Sequence, residues 1–232
     1  MTLNLSNQNL TTLEGYVFPE GITFLDISYN RLTSLPPLPP TLIKLCCTDN
    51  QLTNLPSLPP SLKELYCFSN QLTSLPSLPD SLIELYCSRN QLTNLPPLPP
   101  TLIKLYCGWN KLTSLPPLSY GTVSSLTHLG CSGNQLTSIP PLPASLIEFY
   151  CNNDGLPSSY YYNGLMKPIE EVRMIILIDR LRRGCAMVSR LVSDKAARNI
   201  QRVWKRYWLE PYQDVELGYR VSRYLLHYQH QL

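Results

Sequence analysis

The chain has 232 residues, 44% of them apolar, with 22 prolines, 10 glycines, 8 cysteines and a formal net charge of +3. That apolar share is enough for a real core, proline and glycine stay below the level that marks a disordered chain, and the longest strongly apolar run, Met174 to Ile178, is too short to span a bilayer. The totals hide a division near residue 158: residues 1–157 hold 20 of the prolines with 6 basic and 9 acidic residues, whereas residues 158–232 hold 2 prolines with 13 basic and 7 acidic residues.

The chain opens on Met1-Thr2-Leu3-Asn4-Leu5, which lacks a basic segment followed by an apolar one and so does not read as a secretory signal. A 20-residue period then governs the first 157 residues. Leu42 to Pro56 recurs as Leu62 to Pro76, Leu82 to Pro96 and Leu102 to Pro116, with Cys47, Cys67, Cys87 and Cys107 in phase and Asn50, Asn70, Asn90 and Asn110 likewise. An earlier copy has Ile27 and Asn30, and later copies have Cys131 with Asn134 and Cys151 with Asp154. Four extra residues enter around Ser119 to Ser124, and a degenerate first copy places Leu5, Leu10 and Leu13 in phase, which gives about eight coils. A fixed short period of this kind implies a solenoid.

Leu45, Cys47 and their equivalents alternate with polar or aromatic residues, the pattern of a short strand with one buried face. Stacked coils would pair these strands into a parallel sheet, roughly 35 Å long at ~4.8 Å per strand. The other half of each coil, such as Leu55-Pro56-Ser57-Leu58-Pro59-Pro60, cannot be helical, because proline lacks an N–H and pushes its predecessor toward extended geometry. It is expected to return as polyproline-II-like chain with Leu55 and Leu58 inward. Leu52, Leu72, Leu92, Leu112 and Leu136 should form one buried column, and Leu55, Leu75, Leu95, Leu115 and Ile139 a second. The asparagine column is expected to satisfy backbone groups where the chain leaves the strand.

The pattern L-x-x-L-x-(C/I/L)-x-x-N-x-L-x-x-L-P-x-L-P resembles the short leucine-rich repeat over about two thirds of the chain. Its Leu-Pro-x-Leu-Pro half is similar to the repeats of bacterial effector proteins, and its Cys column with Asn-Gln-Leu-Thr is similar to repeat proteins of giant DNA viruses of amoebae. The resemblance implies strands on a concave side and extended returns on a convex side. Six cysteines occupy a core column in place of Ile27, so they read as small buried hydrophobes in a reducing, intracellular compartment rather than a disulfide framework or a metal site. Cys46 leaves the column and should point outward.

On the concave side the columns beside the core read Asp26, Cys46, Tyr66, Tyr86, Tyr106, Gly130, Tyr150 and Phe24, Lys44, Glu64, Glu84, Lys104, His128, Glu148. Beyond the strand come Phe68, Arg89 and Trp109 in their own columns. Aromatic rings with polar handles amid charge are typical anchors of protein interfaces, so Tyr66, Phe68, Tyr86, Arg89, Tyr106 and Trp109 are the candidate protein-binding residues. The plainer alternative is that neighbouring tyrosines only stabilise the sheet.

Past residues 158–167, which read as a connector, Pro168 with Glu170 and Glu171 marks a helix start in a helical region over 168–232, either a cap on the solenoid or a partner-binding element. Two further helices are expected, one from Ser193 or Asp194 to Pro211 and one from about Gln213 to Gln229. The segment 194–209 resembles a partial IQ motif, which implies a calmodulin-like or light-chain-like partner gripped through Ile200, Gln201, Trp204, Lys205 and Trp208. The effector proteins that the repeat resembles often carry a cysteine-dependent ubiquitin ligase after it, which implies a lesser alternative with Cys185, the only downstream thiol, as nucleophile; it lacks a histidine nearby and reads rather as a packed helix residue. Phosphate loops, catalytic carboxylate pairs and metal-ligand spacings are lacking, so the sequence reads as a non-enzymatic protein-interaction scaffold that needs no cofactor.

Overall fold

A computed structural model describes residues 1–118, 123, 125–152, 155–157, 161–162, 165–166, 169–173 and 175–176. The chain divides into two compact units, Met1–Ile169 and Glu170–Leu232.

The first unit is a parallel-strand solenoid. Eight three-residue strands, β1 (Thr2–Asn4), β2 (Phe24–Asp26), β3 (Lys44–Cys46), β4 (Glu64–Tyr66), β5 (Glu84–Tyr86), β6 (Lys104–Tyr106), β7 (His128–Gly130) and β8 (Glu148–Tyr150), pair in chain order into one sheet. Their register follows the sequence period: Leu25, Leu45, Leu65, Leu85, Leu105, Leu129 and Phe149 stand opposite one another. The four extra residues before β7 leave this register unchanged, with Leu118 and Val123 fully buried on either side of them. Two short antiparallel strands, β9 (Tyr161–Tyr162) and β10 (Leu165–Met166), occupy part of the stretch expected to be a plain connector.

Burial of leucine drives the stacking. The strand leucines Leu45, Leu65, Leu85 and Leu105 and the column Leu52, Leu72, Leu92, Leu112 and Leu136 are wholly excluded from water. Each such side chain contributes about 1.5–3 kcal/mol by leaving water. In the next column Leu55, Leu75, Leu115 and Ile139 are buried and Leu95 is half-buried. The proline-rich returns form neither helix nor strand, and turns such as Leu42 N–H to Pro39 O (3.1 Å) bring each return back to the next strand.

Asparagine satisfies the backbone where the chain leaves the strand. Asn90 Oδ1 accepts the Leu72 N–H of the preceding coil at 3.0 Å, while Asn90 Nδ2 donates to Cys67 O, Cys87 O and Ser88 O at 3.0, 3.1 and 3.2 Å. Asn50, Asn70 and Asn110 repeat this set with their own neighbours. A second polar column runs along the other side of the core: the Ser61, Ser81 and Thr101 hydroxyls donate to Leu42 O, Leu62 O and Leu82 O at 2.7–2.8 Å.

Just before each asparagine the backbone turns left-handed. Tyr29, Asp49, Ser69, Arg89 and Trp109 have φ between 50° and 56°, and Gly133 takes the same place with φ 68°. This conformation costs a non-glycine residue on the order of 1 kcal/mol. It is held because the same residues continue the ladder: Arg89 N–H donates to Gly108 O at 2.9 Å and Trp109 N–H to Ser132 O at 2.7 Å.

The column cysteines Cys47, Cys67, Cys87, Cys107, Cys131 and Cys151 are buried, and no disulfide forms among the seven described cysteines. Burial pushes the Cys47, Cys67, Cys87, Cys107 and Cys131 thiols well above their ordinary range. Half-buried Cys46 is pushed up to about 11, by burial first and then by the charge of Asp26.

In the second unit the backbone is helical at 170–173 and 175–176, with Arg173 Nη1 2.6 Å from Glu170 Oε1. The two expected later helices, the 194–209 segment with Ile200, Gln201, Trp204, Lys205 and Trp208, and Cys185 lie outside the described residues.

Two outcomes follow. Asn90→Ala strips one N–H and three carbonyls of a buried partner, and urea unfolding should show a loss of about 2–4 kcal/mol. Thiol alkylation mapped by mass spectrometry at pH 8 on the native chain should leave the six column cysteines unmodified and label Cys46 slowly; rapid labelling of Cys67 or Cys87 contradicts the packing.

Candidate functional site

Outside the core leucine, each strand presents two residues on the opposite sheet face, and both resulting columns are half-exposed over the middle coils. In the first column Tyr66, Tyr86 and Tyr106 stand in register on β4, β5 and β6. Their rings stack, Tyr66 on Tyr86 with centroids 4.7 Å apart and planes at 17°, Tyr86 on Tyr106 at 4.8 Å and 20°. In-register parallel strands dictate this, since equivalent side chains repeat at the strand spacing of ~4.8 Å. Such aromatic pairs add about 0.5–1.5 kcal/mol each beyond their burial.

The second column supplies charge. Lys44 Nζ lies 2.8 Å from Glu64 Oε2, and Lys104 Nζ lies 2.9 Å from Glu84 Oε1. This leaves Glu64 and Glu84, two like charges, opposite one another on adjacent strands. Tyr66 relieves the conflict: its hydroxyl lies 2.8 Å from Glu84 Oε2 and 3.2 Å from Glu64 Oε2. Lys44 Nζ also sits 4.7 Å from the Tyr66 ring centroid and 5.4 Å from that of Phe24, a cation–π arrangement. His128 Nε2 is 3.6 Å from Glu148 Oε1, and the Tyr150 hydroxyl is 3.5 Å from Glu148 Oε2.

These neighbours set the protonation states. Burial pushes the Tyr66 phenol far up, helped by its hydrogen bond to Glu84. Tyr86 and Tyr106 are also raised, by burial first and then by the charges of Glu84 and Glu148 respectively. All three phenols therefore remain neutral near pH 7. Partial burial works to raise the Glu84 carboxyl, but hydrogen bonds from Lys104 and Tyr66 and the charges of Lys104 and Lys44 outweigh it and hold the group below its usual value. The Glu64 hydrogen bond raises Lys44, and the Glu84 hydrogen bond raises Lys104.

Of the candidate residues read from the sequence, the structure brings Tyr66, Tyr86 and Tyr106 into one stack. Phe68 is half-buried just past β4. Arg89 and Trp109 are exposed and sit apart from the strand columns, on the left-handed turns, Trp109 with 65% of its surface open. The Trp109 indole lies over Gly133, where an added Cβ would stand 2.9 Å from Trp109 Cδ2. Gly130 plays a similar part for Tyr106, whose Cδ1 would be 2.7 Å from a Cβ there. The pairing of tyrosine hydroxyl with two glutamates was not read from the sequence, although Glu64-Leu65-Tyr66 and Glu84-Leu85-Tyr86 in phase contain the signal. Among the described residues no group of three His, Cys, Asp or Glu side chains is placed to hold a metal ion, and no helix is long and apolar enough to cross a membrane.

Comparison with known proteins matches residues 60–100 to a two-copy model of leucine rich repeats and residues 21–42 and 125–146 to a single-repeat model. No curated protein matches. Among solved structures, a Shigella effector leucine-rich-repeat domain is 34% identical with a TM-score of 0.61, covering 78% of this chain and 76% of that one. The leucine-rich effector YopM from Yersinia pestis is 36% identical with a TM-score of 0.60, over 67% of this chain and 44% of that one. YopM from Yersinia enterocolitica is 38% identical with a TM-score of 0.56, over 58% of this chain and 29% of that one. This chain thus matches less than half the length of either YopM chain.

The direction of the Glu84 shift fixes a pH dependence. A carboxyl lowered in the folded state stabilises above its unfolded value near 4.5, and that contribution disappears as pH falls through the lower folded value. Between pH 6 and pH 3, Glu84→Gln should therefore lose less stability than the parent chain in urea titrations; parallel losses would remove the Tyr66–Glu84–Lys104 cluster as a contributor.

Proposed function

The chain belongs to the leucine-rich-repeat family, and on that premise we propose that it is a non-enzymatic scaffold that binds a protein partner on the aromatic face of its sheet. Solenoids present extended binding surfaces of this kind. Tyr66, Tyr86 and Tyr106 supply rigid half-exposed rings, Glu64, Glu84, Lys44 and Lys104 the charges beside them, and Phe68, Arg89 and Trp109 extend the surface beyond the strands.

One observation carries this reading over a purely structural role for the aromatics. Core columns repeat leucine from coil to coil, whereas the left-handed column reads Tyr29, Asp49, Ser69, Arg89, Trp109 and Gly133, with no two alike. The fold asks only that the backbone turn there. Trp109 covers Gly133, yet it stands 65% exposed in a conformation unfavourable for a large residue. Tryptophan and arginine are the side chains that most often anchor interfaces. The similar structures come from bacterial effector proteins, which favours action inside a cell, and the buried thiols suit a reducing compartment.

Affinity purification from cells with the full chain tests the proposal. Tyr86→Ala with Tyr106→Ala, and separately Trp109→Ala, should lower recovery of the partner about tenfold or more, as loss of central anchors does. Unchanged recovery with a folded double variant overturns the assignment of this face.

A further inference from the structure

We propose that the left-handed corner of the coils of β5 and β6 anchors an acidic, aromatic segment of the protein partner, with an aromatic side chain on the open face of Trp109 and carboxylates on Arg89 and Lys111. The inference rests on the interaction reading and names the chemistry of the partner at this place.

Arg89 and Trp109 hold equivalent places on adjacent coils, with φ 55° and 56°. Their backbones are bonded to each other, Arg89 N–H to Gly108 O at 2.9 Å and Asn90 N–H to Trp109 O at 3.2 Å. The two residues therefore stand about one strand spacing, ~4.8 Å, apart. Trp109 Cδ2, Cε3 and Cγ all lie 2.9–3.3 Å from the point where a Gly133 Cβ would stand, so Gly133 meets the face of the ring. The opposite face is turned to solvent, in keeping with the 65% exposure of the residue. Among the described residues no aromatic ring and no cation stacks on it. Exposed Lys111, two residues past Trp109, reaches back across the coil boundary, its Nζ 3.3 Å from Gln91 Oε1. That ammonium is thus held beside the coil that carries Arg89.

Charge selects the guest. Residues 1–84 hold 7 acidic and 3 basic residues, whereas residues 85–147 hold 3 basic residues and no Asp or Glu. Of those three, Lys104 is bound to Glu84 at 2.9 Å, and Arg89 and Lys111 pair with no carboxylate among the described residues. A basic guest would meet two cations with no acid near them, and an aliphatic guest would leave both unanswered. A carboxylate pairs with a guanidinium through two N–H donors, and an aromatic ring stacks on an indole. A nucleic acid offers both kinds of contact, but two cations beside an acid-rich stretch suit a chain with a charge at every phosphate poorly. The region 158–232, with 13 basic and 7 acidic residues, has the wrong sign to occupy the corner.

The test is an NMR titration of the full isotope-labelled chain with capped peptides. The glutamate-tryptophan-glutamate probe should shift the Trp109 indole N–H and the Gly133 amide. It should bind at least about fivefold more tightly than its glutamine-tryptophan-glutamine and glutamate-alanine-glutamate counterparts, with lysine-tryptophan-lysine weakest. Arg89→Asn, which suits the left-handed turn, should reduce its affinity about threefold, the loss of one exposed charge pair. Trp109→Asn should abolish the advantage of tryptophan over alanine in the probe. Equal affinity for the glutamine or lysine probe, shifts centred elsewhere, or an unaltered Arg89→Asn titration overturns the corner. Tighter binding of a single-stranded oligothymidylate also overturns it, in favour of nucleic acid. Self-association of the free chain that disappears in Arg89→Asn makes the occupant a second copy and overturns it as well. The folded Tyr86→Ala, Tyr106→Ala variant separates the two readings: it should keep the peptide titration and lose the cellular partner. Partner loss in that variant with an unselective titration overturns the corner alone, and partner retention with a selective titration overturns the tyrosine face alone.

Discussion

The structure depends on how each coil disposes of its backbone polar groups. A three-residue strand joined to a return that is largely proline has few hydrogen bonds of its own. Parallel stacking answers the strand half, and asparagine answers the corner. Asn50, Asn70, Asn90 and Asn110 each give an acceptor to the preceding coil and donors to both coils. Leucine burial provides the larger driving force, but it is non-directional. The asparagine bonds convert it into a fixed register, because a slip of one residue would strand buried N–H and C=O groups at about 1–3 kcal/mol apiece.

The surface inherits its order from that register. Three near-identical coils place three tyrosines at the strand spacing, and the rings can only stack. Two adjacent glutamates would repel, yet the Tyr66 hydroxyl between them and a lysine on either flank turn the column into a compensated strip. Where copying is interrupted, at Gly130 and Gly133, the strip changes character: Tyr106 and Trp109 from the preceding coil lean into the space the missing side chains leave. Regularity thus builds a rigid platform, and departures from regularity give it features that distinguish one part from another.

Much of the solenoid was legible in the sequence, because a 20-residue period fixes which residues share a column before any geometry is known. The leucine, cysteine and asparagine columns all follow from it. The left-handed turn at Tyr29, Asp49, Ser69, Arg89 and Trp109 was not legible, since glycine marks it only once, at Gly133, and the other residues carry no common signal. The hydroxyl column of Ser61, Ser81 and Thr101 was overlooked although it recurs every 20 residues, because serine and threonine beside proline read simply as turn residues. At the candidate site, sequence placed the tyrosines together but could not show that Tyr66 bridges two carboxylates, which depends on side-chain reach rather than spacing.

The claim that asparagine locks the coils into a preformed platform is tested most directly by native-state amide hydrogen exchange. The Leu52, Leu72 and Leu92 N–H groups, bonded to the asparagine of the following coil, should exchange as slowly as the strand amides of Leu65 and Leu85. Exchange at the rate of exposed return residues such as Ser57 and Thr73 would contradict the account.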